Sequence, residues 1–340
     1  MNYIDLRSDT VTRPTPAMRE AMMKAEVGDD VFGEDPTVNK LQEKCAEISG
    51  KEKTLYVPSG CMANQLAVKS HTQQGDEVIC ESECHIFNYE TAAPAVISNV
   101  QMMTVKGENG VMQLDEIKKF VRTKEYYFPR TRLICLENTH NRAGGVIQPI
   151  EVIKEISEFA RKNDIRMHMD GARIYNASVE TGISVKEYAS YFDSISFCFS
   201  KGLGAPVGSI LCGTEEFISI AHRWRKIIGG GMRQAGILAA AALYAIENNV
   251  GRLKEDHNKA KYFAKEISRL KEIEVNSDLV HTNIVIFSNS KYSKQELISK
   301  LKEKGVLISA GSFENLRAVF HLDVSMEETE KAVKLFNELF

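Results

Sequence analysis

The chain runs to 340 residues, long enough for one large buried core with a smaller one beside it. Forty-three Lys and Arg against forty-six Asp and Glu leave a net charge of −3, which excludes the clustered basic excess of a nucleic-acid-binding surface. No apolar run approaches the ~20 residues of a membrane helix, and the charged start around Asp5, Arg7 and Asp9 lacks the apolar core of a secretory signal, so a cytoplasmic protein without membrane partners is expected.

In chain order, β-branched apolar runs alternate with helical patterns. Strands are expected at Lys53 to Val57, Glu77 to Cys80, Val100 to Val105, Arg132 to Leu136, Ile165 to Met169, Ser194 to Phe199 and Ser209 to Leu211. Between two of them, Pro149 to Asn163 places Val152, Ile153, Ile156 and Phe159 at helical spacing. That alternation predicts an α/β fold: a mostly parallel central sheet covered by helices on both faces. After Ala235 the pattern changes. A helical stretch (Ala235 to Asn248, then Leu253 to Leu270) leads to strands near Thr282 to Phe287 and Ala318 to His321, with helices near Ser293 to Lys304 and Met326 to Leu339. The expected organisation is therefore an N-terminal segment 1–14, a large domain 15–240 and a smaller C-terminal α+β domain 241–340.

Two punctuated segments carry the chemistry. In Ile165-Arg-Met-His-Met-Asp170-Gly-Ala-Arg173 and Ser196-Phe-Cys-Phe-Ser-Lys201-Gly-Leu-Gly204, a strand-like run ends on a charged residue followed closely by glycine. In parallel sheets ligands gather at the carboxyl ends of strands, which puts Asp170 and Lys201 on one rim. A lysine amine and an acid there suit pyridoxal 5'-phosphate (PLP), whose aldehyde takes the amine and whose ring nitrogen needs an acid to stay protonated. Taken singly, each has a plainer reading: Lys201 as a surface lysine in a glycine loop, Asp170 as a turn cap. Arg173 is spaced to reach a substrate carboxylate from the same rim. Ser59-Gly60 turns a strand into a helix whose N-terminus suits a phosphate. His85 and His140 are acid–base candidates, and His168 and Cys198 read as packing residues.

Other chemistries fail on spacing. Neither Gly202-x-Gly204 nor Gly229-Gly-Gly231 completes the G-x-G-x-x-G pattern of a dinucleotide fold. Cys80, Cys84 and His85 lack a second ligand pair at zinc spacing, so no metal is expected. Seven cysteines cannot all pair within one chain, and buried reduced thiols are the default.

From end to end the chain resembles the low-specificity L-threonine aldolases, PLP enzymes of the aspartate-aminotransferase-like fold (fold type I). The resemblance rests on Asp5-Leu-Arg7-Ser8-Asp9-Thr10, Gly28-Asp29-Asp30-Val31-Phe32-Gly33, the Ser59-Gly60 turn, Glu137-Asn-Thr-His140-Asn141, Asp170-Gly-Ala-Arg173, the Lys201 loop, Gly229-Gly-Gly-Met-Arg233 and Leu316-Arg317-Ala-Val-Phe-His321. It implies that 15–240 is a PLP-binding domain, with Lys201 the Schiff-base lysine and Asp170 the ring-nitrogen partner. Ser59, Gly60 and the Cys61 amide would cradle the phosphate, with Arg233 reaching in from a neighbouring subunit. His85 would stack on the ring and His140 would lie near the substrate hydroxyl. Ser8, Arg173 and Arg317 would bind the amino-acid carboxylate, with Glu90 near the substrate. The implied reaction is aldol cleavage of L-threonine, L-allo-threonine and related β-hydroxy amino acids to glycine and an aldehyde, in a homo-oligomer (a dimer of dimers) with sites at a subunit interface. The alternatives are another PLP reaction on this fold (β-elimination, transamination or racemisation) and a non-catalytic binding protein. Two departures from the family pattern stand out: Cys61 replaces a threonine, and Val146 replaces an arginine common in the family.

Overall fold

A computed structural model describes residues 3–313 and 315–340. After a two-residue strand β1 (Ile4–Asp5), the chain lays down β2 (Lys53–Val57), β3 (Glu77–Glu81), β4 (Gln101–Val105), β5 (Thr131–Glu137), β6 (Arg166–Asp170), β7 (Ser194–Cys198) and β8 (Ser209–Gly213). The last seven form one sheet in the order β2-β8-β7-β6-β5-β3-β4. Neighbours from β7 through β6, β5 and β3 to β4 run parallel, and β8 alone is antiparallel to both of its neighbours. Every residue of β3, β7 and β8 is buried, as expected of strands covered on both faces.

The covering helices follow from their sequence patterns. In the helix Ile150–Lys162 the buried side chains are Ile153, Ile156, Ser157 and Ala160, one stripe at helical spacing. The helix Pro36–Ser49 starts with proline in its first turn, and the Asp35 carboxylate accepts from the Thr37 and Val38 amides. Beneath it lies a buried ion pair: Arg225 Nη2 meets Asp30 Oδ2 at 2.7 Å while Nη1 donates to the Tyr56 carbonyl at 2.7 Å. Among the described residues no helix is long and apolar enough to cross a membrane.

The second core is built on a four-stranded antiparallel sheet. Its strands are β9 (Ile273–Glu274), β10 (Ile284–Asn289), β12 (Ser309–Ala310) and β13 (Leu316–Val319), in the order β12-β13-β10-β9. Phe263, Phe287, Phe320 and Phe336 pack there, with Phe263 and Phe336 edge to face at 5.2 Å, each burial worth roughly 1.5–3 kcal/mol. Helices Lys294–Glu303 and Met326–Leu339 each open with a reciprocal serine–glutamate cap.

The seven strands of the main sheet lie where the apolar runs place them. The two-residue strands β1, β9, β11 (Val306–Leu307) and β12 are too short to produce a periodic pattern. Near the N-terminus β1 pairs parallel with β11, and Ile4 and Leu6 lie in the second core. Residue 241 falls inside the helix Gly236–Asn248, whose Ala239, Ala241, Ala242 and Ala245 belong to the large core, and the second core takes over from Ala260.

Candidate active site

Five strands of the large sheet end at one place. β2 leads into the helix Gly60–His71, β3 into His85, β5 into Glu137 and Asn141, β6 into Asp170 and Arg173, and β7 into Lys201. A cavity of about 290 Å³ opens there, lined among others by Ser8, His85, Asp170, Arg173, Lys201 and Arg317. The sheet supplies the floor, and the N-terminal segment and β13 close one side. Of the residues singled out in the sequence, these six face the cavity together.

Asp170 ends β6 with a buried carboxylate. Its Oδ2 accepts from Asn64 Nδ2 at 2.8 Å and its Oδ1 from the Ala172 amide at 3.1 Å. Burial pushes its pKa up, but the charges of His85 and Lys201 and the Asn64 hydrogen bond outweigh that and hold it below the ordinary carboxylate range. Asp170 is thus an anion at the cavity floor. Behind it, Asn64 Oδ1 accepts from Ser196 Oγ at 3.1 Å and meets His168 Nε2 at 3.2 Å. His168 is therefore a buried hydrogen-bonded histidine, its pKa lowered by burial to about 4.

Lys201 sits in a loop pinned through its own carbonyl. Its carbonyl accepts from Thr12 Oγ1 at 3.2 Å and from the Gly204 amide at 2.8 Å. Gly208, at φ +109°, brings the returning backbone so close to Tyr56 that a Cβ would lie 2.4 Å from its hydroxyl. Only glycine fits.

The helix Gly60–His71 is capped by Ser59, whose Oγ accepts from the Met62 amide at 3.2 Å. The Gly60 and Cys61 amides lie in its first turn, where no intrahelical acceptor exists. A Cβ on Gly60 would stand 2.8 Å from Cys198 Sγ, so glycine lets the helix start directly against β7. Cys61 Sγ, His85 and Glu90 offer atoms within 4.8 Å of one another, which places Cys61 beside the cavity wall. Cys80 and Cys84 lie in a separate apolar cluster with Val78, Ile86 and Leu133.

His85 half-faces the cavity. Its Nδ1 meets Glu90 Oε1 at 2.9 Å, and its backbone amide donates to Glu137 Oε2 at 2.6 Å. Burial lowers its pKa, but the Glu90 hydrogen bond and the charge of Asp170 raise it above the ordinary histidine value. Glu90 itself is buried behind His85, where Asn64 and Gln65 also donate to it at 2.8 and 2.5 Å.

The two arginines differ sharply. Arg173 is buried, and its Nε and Nη2 both meet the Asp9 carboxylate at 2.7 Å; Arg173 holds the Asp9 carboxyl well below its usual range against the opposing effect of burial. That leaves Nη1, 3.3 Å from Asn141 Oδ1, at the cavity. Arg317, on β13, donates to Asn141 Oδ1 at 3.1 Å and the Arg7 carbonyl at 3.2 Å, and its Nε is buried without a partner. Burial and the neighbouring Arg173 lower its pKa. Among the described residues no carboxylate pairs with Arg317, so two cations share one anion.

Three candidates lie elsewhere. His140 is fully buried off the cavity, its Nε2 2.9 Å from Glu81 Oε2 and its Nδ1 accepting from the Ala143 amide at 3.2 Å. Arg233 is on the surface, paired with Asp29 Oδ2 at 2.9 Å with its side chain 56% exposed. Val146, buried, bridges the His140 backbone. Asp9, Asn64 and Asn141 were not assigned roles from the sequence. Their signal was present in part: Asn64 and Gln65 are amides on an otherwise apolar buried helix face, which asks for polar partners.

An anionic carboxylate, a lysine and an under-neutralised arginine pair around one cavity at the rim of a parallel sheet are groups that carbonyl chemistry on an amino acid could use. The beta-eliminating lyase family model matches residues 5–290. Low-specificity L-threonine aldolase 1 of Arabidopsis thaliana is 43% identical over 99% of this chain and 96% of its own length. The low specificity L-threonine aldolase of Escherichia coli K12 is 45% identical over 96% of each. Among solved structures, a threonine aldolase from Leishmania major superimposes with a TM-score of 0.86 at 16% identity, covering 99% of both chains. The chain belongs to the beta-eliminating lyase family and, within it, to the low-specificity L-threonine aldolases.

Proposed function

We propose that this chain cleaves the Cα–Cβ bond of small β-hydroxy-α-amino acids, taking L-threonine or L-allo-threonine to glycine and acetaldehyde, with PLP as cofactor. The observation that carries the reading is the convergence of Lys201, ionised Asp170 and the Arg173–Arg317 pair on one cavity.

The donor set fits PLP. Lys201 would hold its aldehyde, Asp170 would keep its ring nitrogen protonated, and the open first turn at Gly60 and Cys61, with Ser59, would take its phosphate. Arg233 would add charge there from a neighbouring subunit of a dimer or a dimer of dimers. When bound, the cofactor supplies an electron sink for bond cleavage at the substrate's Cα.

The protein's own part is to orient the substrate and move protons. Arg317 and the open edge of Arg173 grip the carboxylate, with Ser8 beside them, and so fix which bond at Cα stands where it can break. His85 is the base for the β-hydroxyl proton: Glu90 holds its Nδ1, leaving Nε2 for the substrate, whereas both nitrogens of His140 are engaged within the protein. The cofactor contacts come from 15–240, and Arg317 comes from 241–340. The enzyme would act in the cytoplasm.

Borohydride reduction of the PLP-loaded protein tests the site. The expected result is cofactor mass fixed on the peptide containing Lys201, and a Lys201→Ala variant with no turnover. Label on another lysine, or normal turnover by the variant, would overturn the reading.

A further inference from the structure

The geometry points to Asn283 as the positioning residue of the carboxylate-binding pair, one buried amide that ties the supports of both arginines together. This rests on the reading that Arg173 and Arg317 take the substrate carboxylate.

Asn283 immediately precedes β10 and is fully buried. Its Nδ2 donates to Asp9 Oδ2 at 3.3 Å and to the Phe320 carbonyl at 3.0 Å. Its Oδ1 accepts from Asn176 Nδ2 at 3.4 Å, and its own carbonyl accepts from the Phe320 amide at 2.8 Å. Each partner leads to an arginine. Asp9 makes the two in-plane bonds that set the Arg173 guanidinium. Asn176 lies in the first turn of the helix Ile174–Thr181, which begins directly after Arg173. Phe320 follows β13, the strand that carries Arg317 and pairs it with Ile286 of β10.

The chemistry of the side chain matters as well as its place. Asp9 must stay an anion to hold Arg173, so its remaining neighbour has to donate without bringing a charge. A cation at 283 would compete with Arg173 for the carboxylate, an acid would repel it, and an apolar side chain would leave Asp9 and the Phe320 carbonyl short of a donor in a buried place. A primary amide meets the requirement, donating twice and accepting from the large-domain helix. Removing it leaves the arginines present but lets Asp9, and with it the Arg173 edge, turn away from the orientation that matches Arg317. The loss should therefore fall on recognition of the carboxylate and leave the lysine and the cofactor cradle alone.

The test uses the PLP-loaded enzyme and follows binding by the cofactor's absorbance. Asn283→Ala and the milder Asn283→Ser are titrated with glycine and with ethylamine, an amine that lacks a carboxylate. We expect the glycine dissociation constant and KM for L-threonine to rise about tenfold, as for loss of a hydrogen bond to a charged group, while ethylamine binding and cofactor affinity hold. Unchanged glycine affinity in a folded variant would overturn the proposal. So would equal weakening for glycine and ethylamine, which marks general damage. The serine variant keeps the test open if alanine prevents folding. Arg173→Lys and Arg317→Lys are run beside them: if neither weakens glycine, the reading of the arginines fails, whereas weakening in these and not in the Asn283 variants removes Asn283 alone.

Discussion

Arg173 and Arg317 reach for the same atom: the Oδ1 of Asn141 accepts from Nη1 of one at 3.3 Å and Nη1 of the other at 3.1 Å. Asp9 neutralises the first, and the second keeps its charge in a half-buried place. An amide oxygen between two guanidinium groups occupies a position suited to an anionic oxygen. The site is thus poised to gain more from a carboxylate than from water.

Arg317→Ala should accordingly weaken L-threonine and glycine binding by about 2–5 kcal/mol, the range for truncating one partner of a buried charge pair. Glycine titration of the PLP-loaded protein measures it. Unchanged affinity would remove Arg317 from the substrate.

The His85–Glu90 pair predicts a pH profile. Glu90 and Asp170 stabilise the protonated imidazole, so the His85 pKa is raised above its ordinary 6.5. A base must first lose that proton, so kcat should rise with pH along a limb whose midpoint lies above 6.5. Glu90→Gln removes the carboxylate charge and should move the limb to lower pH. A limb that stays in place in that variant would take His85 out of the base role.

Much of this was legible in the chain itself, for reasons that show in particular residues. Strands such as β3, β7 and β8 read as mostly apolar runs because they are buried throughout, and Asp170 and Lys201 stand out because each closes a strand-like segment just before a glycine. The supports were harder to see. Asp9 meets Arg173 across 164 positions and Asn283 meets Asp9 across 274, and no local pattern encodes contacts at that separation. His140 illustrates the converse. Its motif marks the region, yet whether a histidine faces the cavity or turns to Glu81 depends on packing against Gly110, where a Cβ would stand 2.4 Å from the ring.

Cys61 offers a gain-of-function test. It lies in the first turn of the helix proposed to hold phosphate, with its thiol pushed up to about 11 by burial and by Glu90 and Asp170. A neutral thiol is a weak donor. Cys61→Thr should tighten PLP binding by up to about 1.5–3 kcal/mol if its hydroxyl reaches the phosphate, read as a lower dissociation constant by equilibrium titration. Looser binding would contradict the phosphate assignment.

Stability has its own test in Arg225, whose side chain is 2% exposed against Asp30. Arg225→Ala strands the Asp30 carboxylate and the Tyr56 carbonyl, and should cost about 3–5 kcal/mol of folding free energy. Denaturant unfolding measures it, and a loss under 1 kcal/mol would show that water readily replaces the guanidinium.

The most direct measurement is acetaldehyde release by the PLP-loaded protein from L-threonine and L-allo-threonine, side by side, with glycine quantified in the same reaction. The account predicts acetaldehyde and glycine in equal amounts from at least one of the two. PLP bound with no acetaldehyde from either, or 2-oxobutyrate in its place, would contradict it and assign the same lysine, aspartate and arginines to a different reaction.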